Sequence, residues 1–212
     1  MIVGILGLKG AGKDTIGDYL VENYGFEKVS FASALKDATA AIFGWDRDML
    51  EGNTPEAREQ REQPDEFWSE KLGYDFTPRY ALQYIGTDVM RKNFYDGIWI
   101  AALEKKLSNP DKDYVITDVR FPNEVTLLKN LGATLVEVQR GEQPEWMELA
   151  SKANAGDKDA QHQMYMNFKD VHISEWAWAG SDVNVVIPND ETFEELYDKI
   201  EVQVKEPFFN QA

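Results

Sequence analysis

Residues 7–15 read Gly-Leu-Lys-Gly-Ala-Gly-Lys-Asp-Thr, a spacing that fits GxxxxGK. Glycines at these positions let main-chain amides turn inward onto a phosphate. The helix that follows adds the positive end of its dipole, and a lysine at position 13 reaches the β- and γ-phosphates of a bound nucleotide. Gly7, Lys9, Gly10, Ala11, Gly12, Lys13, Asp14 and Thr15 are therefore the candidate phosphate-binding residues. Position 14 departs from the usual pattern, because most such loops place Ser or Thr there to hold magnesium. Asp14 can pair with Lys13, contact a metal through water or cap the helix, and the sequence leaves all three open.

Four further groups carry chemistry. In Tyr114-Val-Ile-Thr-Asp-Val-Arg120 an apolar run ends at Asp118, at the carboxyl edge of an expected parallel strand, where ligands bind in open α/β sheets. A carboxylate there suits magnesium or its waters, and Arg120 lies near the same edge. On a helix spanning Arg79 to Asn93, Arg79, Gln83 and Thr87 lie four residues apart and Arg91 continues their face. A guanidinium grips a monophosphate with two hydrogen bonds, and an amide offers a paired donor and acceptor to a base edge. Arg140 ends another strand, where its planar cation can stack on adenine or turn toward transferred phosphate. His172, Ser174, Glu175, Trp176 and Trp178 cluster further on, and aromatic rings beside polar groups suit either a nucleobase pocket or buried packing.

The elements that must position these groups follow a βαβ rhythm. Ile2, Val3, Ile5 and Leu6 form a strand before the loop, and Ile16, Tyr19 and Leu20 give helical spacing over Asp14–Asn23, closed by Gly25. A short strand over Lys28–Phe31 precedes a helix over Ala34–Phe43 that Gly44 stops. Asn53–Tyr74 is polar and broken by Pro55 and Pro64, so it reads as helical pieces on the surface. A helix over Trp99–Leu107 should end in the turn Ser108-Asn109-Pro110. Strands over Tyr114–Val119, Thr134–Gln139 and Val183–Ile187 alternate with helices over Asn123–Leu131 and Glu191–Val204, the signature of a parallel sheet. Between Arg140 and Ser181 the rhythm lapses, with one or two helices expected within 150–168; such long segments tend to be lids or binding loops.

Length and charge bound the function. The chain has 212 residues, enough for one α/β domain with an insertion. A net charge of −16 argues against binding long nucleic acid, since neutralising phosphates needs a surplus of Lys and Arg. There is no cysteine and only His162 and His172, which leaves no basis for a disulfide or a structural zinc site. No apolar run approaches the ~20 residues needed to cross a bilayer, so the protein is expected to be soluble and intracellular, without a membrane partner.

Together the loop at 7–15, the Leu-Gln-x-x-Gly-Thr of the Arg79–Arg91 helix and Thr-Asp-Val-Arg-Phe-Pro-Asn-Glu at 117–124 resemble the tailed-phage deoxynucleoside monophosphate kinases. His-x-Ser-Glu at 172–175 and Val-Val-Ile-Pro-Asn-Asp at 185–190 look like that family too, and the likeness runs nearly end to end. It implies an α/β P-loop kinase fold, three-layered with a five-stranded parallel sheet, as a single domain over 1–212. A nucleoside-monophosphate-binding helical region would cover about 34–107 and a lid about 141–181. The implied reaction moves the γ-phosphoryl of ATP to a deoxynucleoside 5′-monophosphate, in the host cytoplasm for a phage-encoded enzyme. On this reading Lys13 and the Gly7–Gly12 amides hold ATP phosphates, while Asp14, Thr15 and Asp118 organise Mg2+. Lys36, Arg79, Gln83, Thr87 and Asp88 face the acceptor, with Trp176 a base contact. Arg91, Arg120 and Arg140 offset the charge of two anions brought together.

Two other readings use the same loop. A dephospho-coenzyme A kinase would share loop and strand order, although the Leu-Gln-x-x-Gly-Thr helix speaks against it. A nucleotide-dependent switch would use the 141–181 segment to contact a protein partner. The sequence leaves open the nucleotide range, the discrimination of ribose from deoxyribose, and whether the chain forms a homodimer.

Overall fold

The computed structural model describes residues 1–107, 109 and 111–205. Ser108 and Pro110 of the expected turn, and the tail containing Phe208 and Phe209, lie outside the described residues. In chain order the elements are β1 (Ile2–Leu6), α1 (Lys13–Tyr24), β2 (Glu27–Val29), α2 (Ser33–Phe43), α3 (Arg47–Glu51), α4 (Pro55–Glu62), α5 (Glu66–Leu72) and α6 (Pro78–Gln83). Helix α6 runs into a π-helix over Tyr84–Arg91, followed by α7 (Ile98–Lys106), β3 (Tyr114–Ile116), α8 (Pro122–Asn130) and β4 (Thr134–Gln139). Then come α9 (Met147–Asn154), α10 (Lys158–Asn167), α11 (Ile173–Trp176), β5 (Val185–Pro188), α12 (Phe193–Ile200) and a π-turn over Glu201–Lys205.

The chain divides into two compact units, one formed by Met1–Ser30 with the chain from Lys106 onward, the other by Phe31–Lys105. In the first, five strands pair in the order β2-β3-β1-β4-β5, all parallel, with Val3 of the central strand opposite Val115 on one side and Thr134 on the other. The connection after β1 runs to β2 on one side, whereas that after the neighbouring β3 crosses to β4 on the other. The carboxyl end of β1 is therefore the switch point where a crevice opens in such folds. Val3, Ile5, Val136, Val138 and Ile187 are buried against Ile16 and Leu20 of α1 and Leu196 and Ile200 of α12. Each such aliphatic side chain stabilises the fold by about 1.5–3 kcal/mol. Leu128 of α8 covers the other face at Gly4, which completes three layers. Among the described residues no helix is long and apolar enough to cross a membrane.

The second unit is helical. The charged stretch expected to lie on the surface becomes α4, which buries no residue, and α5. It is anchored by an aromatic cluster: Phe43 stacks on Trp45 with centroids 4.5 Å apart and meets Trp68 edge-on at 5.1 Å. Both indoles are satisfied, Trp45 donating to Asp65 at 2.7 Å and Trp68 to the Phe43 carbonyl at 3.0 Å.

Several expected elements are altered, among them the helix expected over Glu191–Val204, which passes into the π-turn after Ile200. The single helix expected over Arg79–Asn93 widens after Gln83 into the π-helix. Its Gly86 carbonyl accepts the Trp99 indole N–H at 2.9 Å, a side-chain donor inserted into the helical ladder. Gly86 also admits Leu35, whose Cδ2 would lie 2.6 Å from any Cβ there. Strand β3 stops at Ile116 because Thr117 and Asp118 turn their side chains to partners outside the sheet. Strand β2 pairs through Glu27, Lys28 and Val29, earlier than expected, as the register with Tyr114–Ile116 dictates.

Candidate nucleotide-binding site

The loop after β1 is shaped by backbone sterics. Gly7, Gly10 and Gly12 adopt φ of 142°, 82° and 104°, a region that side-chain-bearing residues rarely enter. At Gly12 a Cβ would also stand 2.4 Å from Asn189 Nδ2. Gly12 is the N-cap of α1 and no side chain caps that end, so its first amides face the loop as anion donors. Lys13 Nζ donates to the Gly7 and Leu8 carbonyls at 2.9 and 2.8 Å, folding the lysine back over the loop. Burial, reinforced by the neighbouring Arg120 guanidinium, lowers the Lys13 pKa from 10.5 to about 8, against the opposing pull of Asp14, Glu175 and Asp118.

Asp14 neither caps the helix nor hydrogen-bonds Lys13. Its Oδ1 accepts the Thr117 hydroxyl at 2.8 Å and pairs with Lys28 Nζ at 3.0 Å. Burial works to raise its carboxyl pKa, but Lys28, Thr117 and Lys13 outweigh it and hold Asp14 below the ordinary carboxylate value. Thr15, half-buried, occupies the first turn of α1. Asp118 lies past the end of β3, where its Oδ2 accepts the Ser30 hydroxyl at 2.7 Å. Arg120 follows; its amide and that of Phe121 donate to Glu124 Oε2 at 2.8 and 3.0 Å, which fixes the main chain at the head of α8.

The segment after β4 holds a helical pair, α9 and α10, where one or two helices were expected. Arg140 is exposed just beyond β4, and the next residue, Gly141, donates its amide to Asp190 at 2.6 Å. Trp176 is half-buried against the cluster of Ala150, Ala153, Ala160, Met164 and Ala179. A cavity of about 500 Å³ between β4 and α9 is lined by Glu137, Glu145, Glu148 and Trp178 among others, and its carboxylates are unsuited to a phosphate.

In the second unit, the candidates gather on α2 and on the α6 and π-helical segment. Lys36 pairs with Glu51 at 2.6 Å. Arg79 and Gln83 are half-buried, Thr87 is buried, and Asp88 pairs with Lys92 at 2.6 Å. Arg91 is buried and its Nε donates to Asp96 at 3.0 Å.

Three residues near these groups, Asn189, Lys28 and Arg61, were not singled out as site residues in the sequence, and Glu175 was named only within the 172–178 cluster. Asn189 donates to the Ala11 carbonyl at 2.8 Å and braces the phosphate loop from the end of β5. Lys28 holds Asp14 and Asp18 together. Glu175 pairs with Arg120 at 3.1 Å. Arg61 lies near enough to Arg79 that, after burial, Arg79 is the largest influence lowering its pKa. Asn189 and Glu175 do belong to the 185–190 and 172–175 motifs, so the resemblance held a signal that spacing alone did not.

A family model described as deoxynucleotide monophosphate kinase matches residues 60–151. A putative deoxynucleotide monophosphate kinase of Acanthamoeba polyphaga mimivirus is 36% identical over 154 residues, 66% of this chain and 74% of that protein. The deoxynucleoside-5′-monophosphate kinase of Escherichia phage T5 is 41% identical over 73 residues, 32% of this chain and 29% of that one. The deoxynucleotide monophosphate kinase of Enterobacteria phage T4 is 24% identical over an alignment of 261 residues, covering 96% and 98%. Among solved structures, a gluconokinase from Sinorhizobium meliloti 1021 aligns with a TM-score of 0.43 at 14% identity, over 99% of this chain and 96% of that one. With the mimivirus protein matched over 74% of its length, and the family model spanning the Arg79–Arg91 helix and Asp118, this chain belongs to the deoxynucleotide monophosphate kinase family.

Proposed function

We propose that the enzyme transfers the γ-phosphoryl group of ATP to a deoxynucleoside 5′-monophosphate, giving ADP and the diphosphate, and so supplies DNA precursors for phage replication. The observation that carries this reading is the glycine-built loop at the uncapped start of α1, with Lys13 and Arg120 as electrostatic neighbours, in a chain of this family. An ionised oxygen of the acceptor phosphate forms a bond to the γ-phosphorus while the bond to the β–γ bridging oxygen breaks. No general base is needed, because the attacking oxygen carries no proton to remove. What the protein supplies is position and positive charge.

In this reading the Gly7–Gly12 amides, Lys13 and Arg140 hold ATP, and Arg91, Arg120 and Arg140 offset the charge of the meeting anions. Lys36, Arg79, Gln83, Thr87 and Asp88 bind the acceptor, whose base contacts Trp176. The 34–107 region is the acceptor-binding part and 141–181 the lid that excludes water. Magnesium would lie with Asp118, Thr15 and Asp14. These are hard oxygen donors, and among the described residues no group of three or more carboxylates or imidazoles is placed to hold a metal ion by itself, which suits an ion held by a few side chains and substrate phosphates. Asp14 reserves one oxygen for Lys28 and Thr117 and has the other for a water of that ion. When bound, magnesium neutralises phosphate charge.

Purified protein incubated with ATP, magnesium and a panel of deoxynucleoside and nucleoside monophosphates tests the reading, with ADP and diphosphate products resolved by chromatography. Acceptor-dependent formation of a deoxynucleoside diphosphate is expected. ATP hydrolysis without acceptor dependence, or turnover with dephospho-coenzyme A alone, would replace it.

A further inference from the structure

Arg120 is tethered on one side. Its Nη1 donates to Glu175 Oε1 at 3.1 Å and to the Ser174 carbonyl at 3.4 Å, while Nε and Nη2 have no hydrogen-bond partner among the described residues. A guanidinium carries five donors in a rigid fork, so holding one nitrogen sets the direction of the other two. Glu175 is itself fixed. His172 caps α11, its ring nitrogen taking the Ser174 amide at 3.3 Å, and its carbonyl accepts the Glu175 amide at 2.9 Å. Trp178, buried, donates its indole N–H to the Glu175 carbonyl at 2.9 Å. The Glu175 carboxylate also favours the charged form of Lys13, which the Arg120 guanidinium disfavours. Two cations that feel one another repel, and the carboxylate paired with Arg120 offsets part of that repulsion before phosphate arrives.

We propose that Glu175 is a positioning residue for Arg120: it holds Nη1 so that Nε and Nη2 are kept for the terminal phosphate of ATP beside Lys13. The proposal rests on the nucleotide-kinase reading, and it gives the 141–181 segment a defined task. Glutamine at 175 keeps an acceptor for Nη1 but removes the charge, whereas alanine removes both.

The test compares full-length wild type with Glu175→Ala, Glu175→Gln, Arg120→Ala and the Glu175→Ala/Arg120→Ala pair. ATP and ADP affinities are measured by titration calorimetry without acceptor, and kcat/KM for ATP with it. Glu175→Ala should lower ATP affinity and kcat/KM by about tenfold with ADP affinity changed by less than about twofold. Glu175→Gln should fall between, and the double variant should lose no more than Arg120→Ala alone. Equal losses for ATP and ADP, or losses that multiply in the double variant, would overturn the assignment. Should Glu175→Ala not fold, Glu175→Gln and its pair with Arg120→Ala carry the same comparison. If the wild type phosphorylates no monophosphate, the functional reading fails, while the ATP-to-ADP ratio still decides the role of Glu175.

Discussion

The phosphate loop is built from main chain, whereas the Pro78–Arg91 segment presents side chains. In the loop, three positive-φ glycines and the uncapped start of α1 make the donor array, and only Lys13 adds a charge. In the second unit Lys36, Arg79 and Arg91 are long side chains whose placement depends on pairs such as Lys36–Glu51 and Arg91–Asp96. A main-chain site tolerates almost no change of residue at its glycines and depends on only a few neighbouring side chains, here Lys13 and Asn189. A side-chain site has the opposite character: each member can be exchanged without disturbing the backbone, and selectivity between acceptors can drift by single substitutions.

That contrast can be broken or sharpened experimentally. The largest effect is expected for Lys13→Ala, which should lower transfer by about a thousandfold while leaving the melting temperature unchanged or higher, since a partly desolvated charge is removed. Unaltered turnover in a coupled ATP assay would take the loop out of the reaction. Arg79→Ala should raise the acceptor KM by about tenfold or more and leave the ATP KM within about twofold. If the ATP KM moves instead, the two regions do not divide the substrates as described.

The pH response of Lys13 is next. Its pKa is about 8 in the folded chain against 10.5 ordinarily, so between these values the unfolded chain holds the extra proton. The nucleotide-free protein should therefore gain stability as pH rises from about 8 to about 10.5, and Lys13→Met should abolish the gain. ATP, which favours the charged amine, should bind progressively more weakly above about pH 8, approaching tenfold per pH unit. Flat affinity across this range, measured by calorimetry, would mean that the amine is not the phosphate ligand. The smallest effect is expected for Asn189→Ala, which removes a brace on the loop: about 1 kcal/mol of stability and a few-fold rise in ATP KM, with the acceptor KM unmoved.

What was legible in the sequence follows the same division. The strand, loop and helix over Ile2–Tyr24 were readable because glycine positions and apolar period both report backbone conformation directly, and Gly25 and Gly44 end their helices as expected. Strand β4 matched at both ends because it is buried along most of its length. The π-helix was not readable, since the period of the Arg79–Arg91 residues is compatible with either winding and the decisive group, the Trp99 indole, comes 13 residues after Gly86. Nor was the short α3 anticipated; its five residues are too few to display a period, although Asp46 caps it through the Asp48 and Met49 amides. Asn189 and Glu175 act on partners 178 and 55 residues away, and such pairings exist only once the sheet order is known.

The Asn189–Ala11 bond has a consequence for biosynthesis. Because β5 lies beyond β4 in the sheet and Asn189 follows Ala11 by 178 residues, the glycine loop is synthesised well before the residue that braces it. A nascent chain that lacks β5 leaves the Ala11 carbonyl without that donor and one edge of β4 unpaired, so the loop stays unbraced until synthesis has passed Asn189.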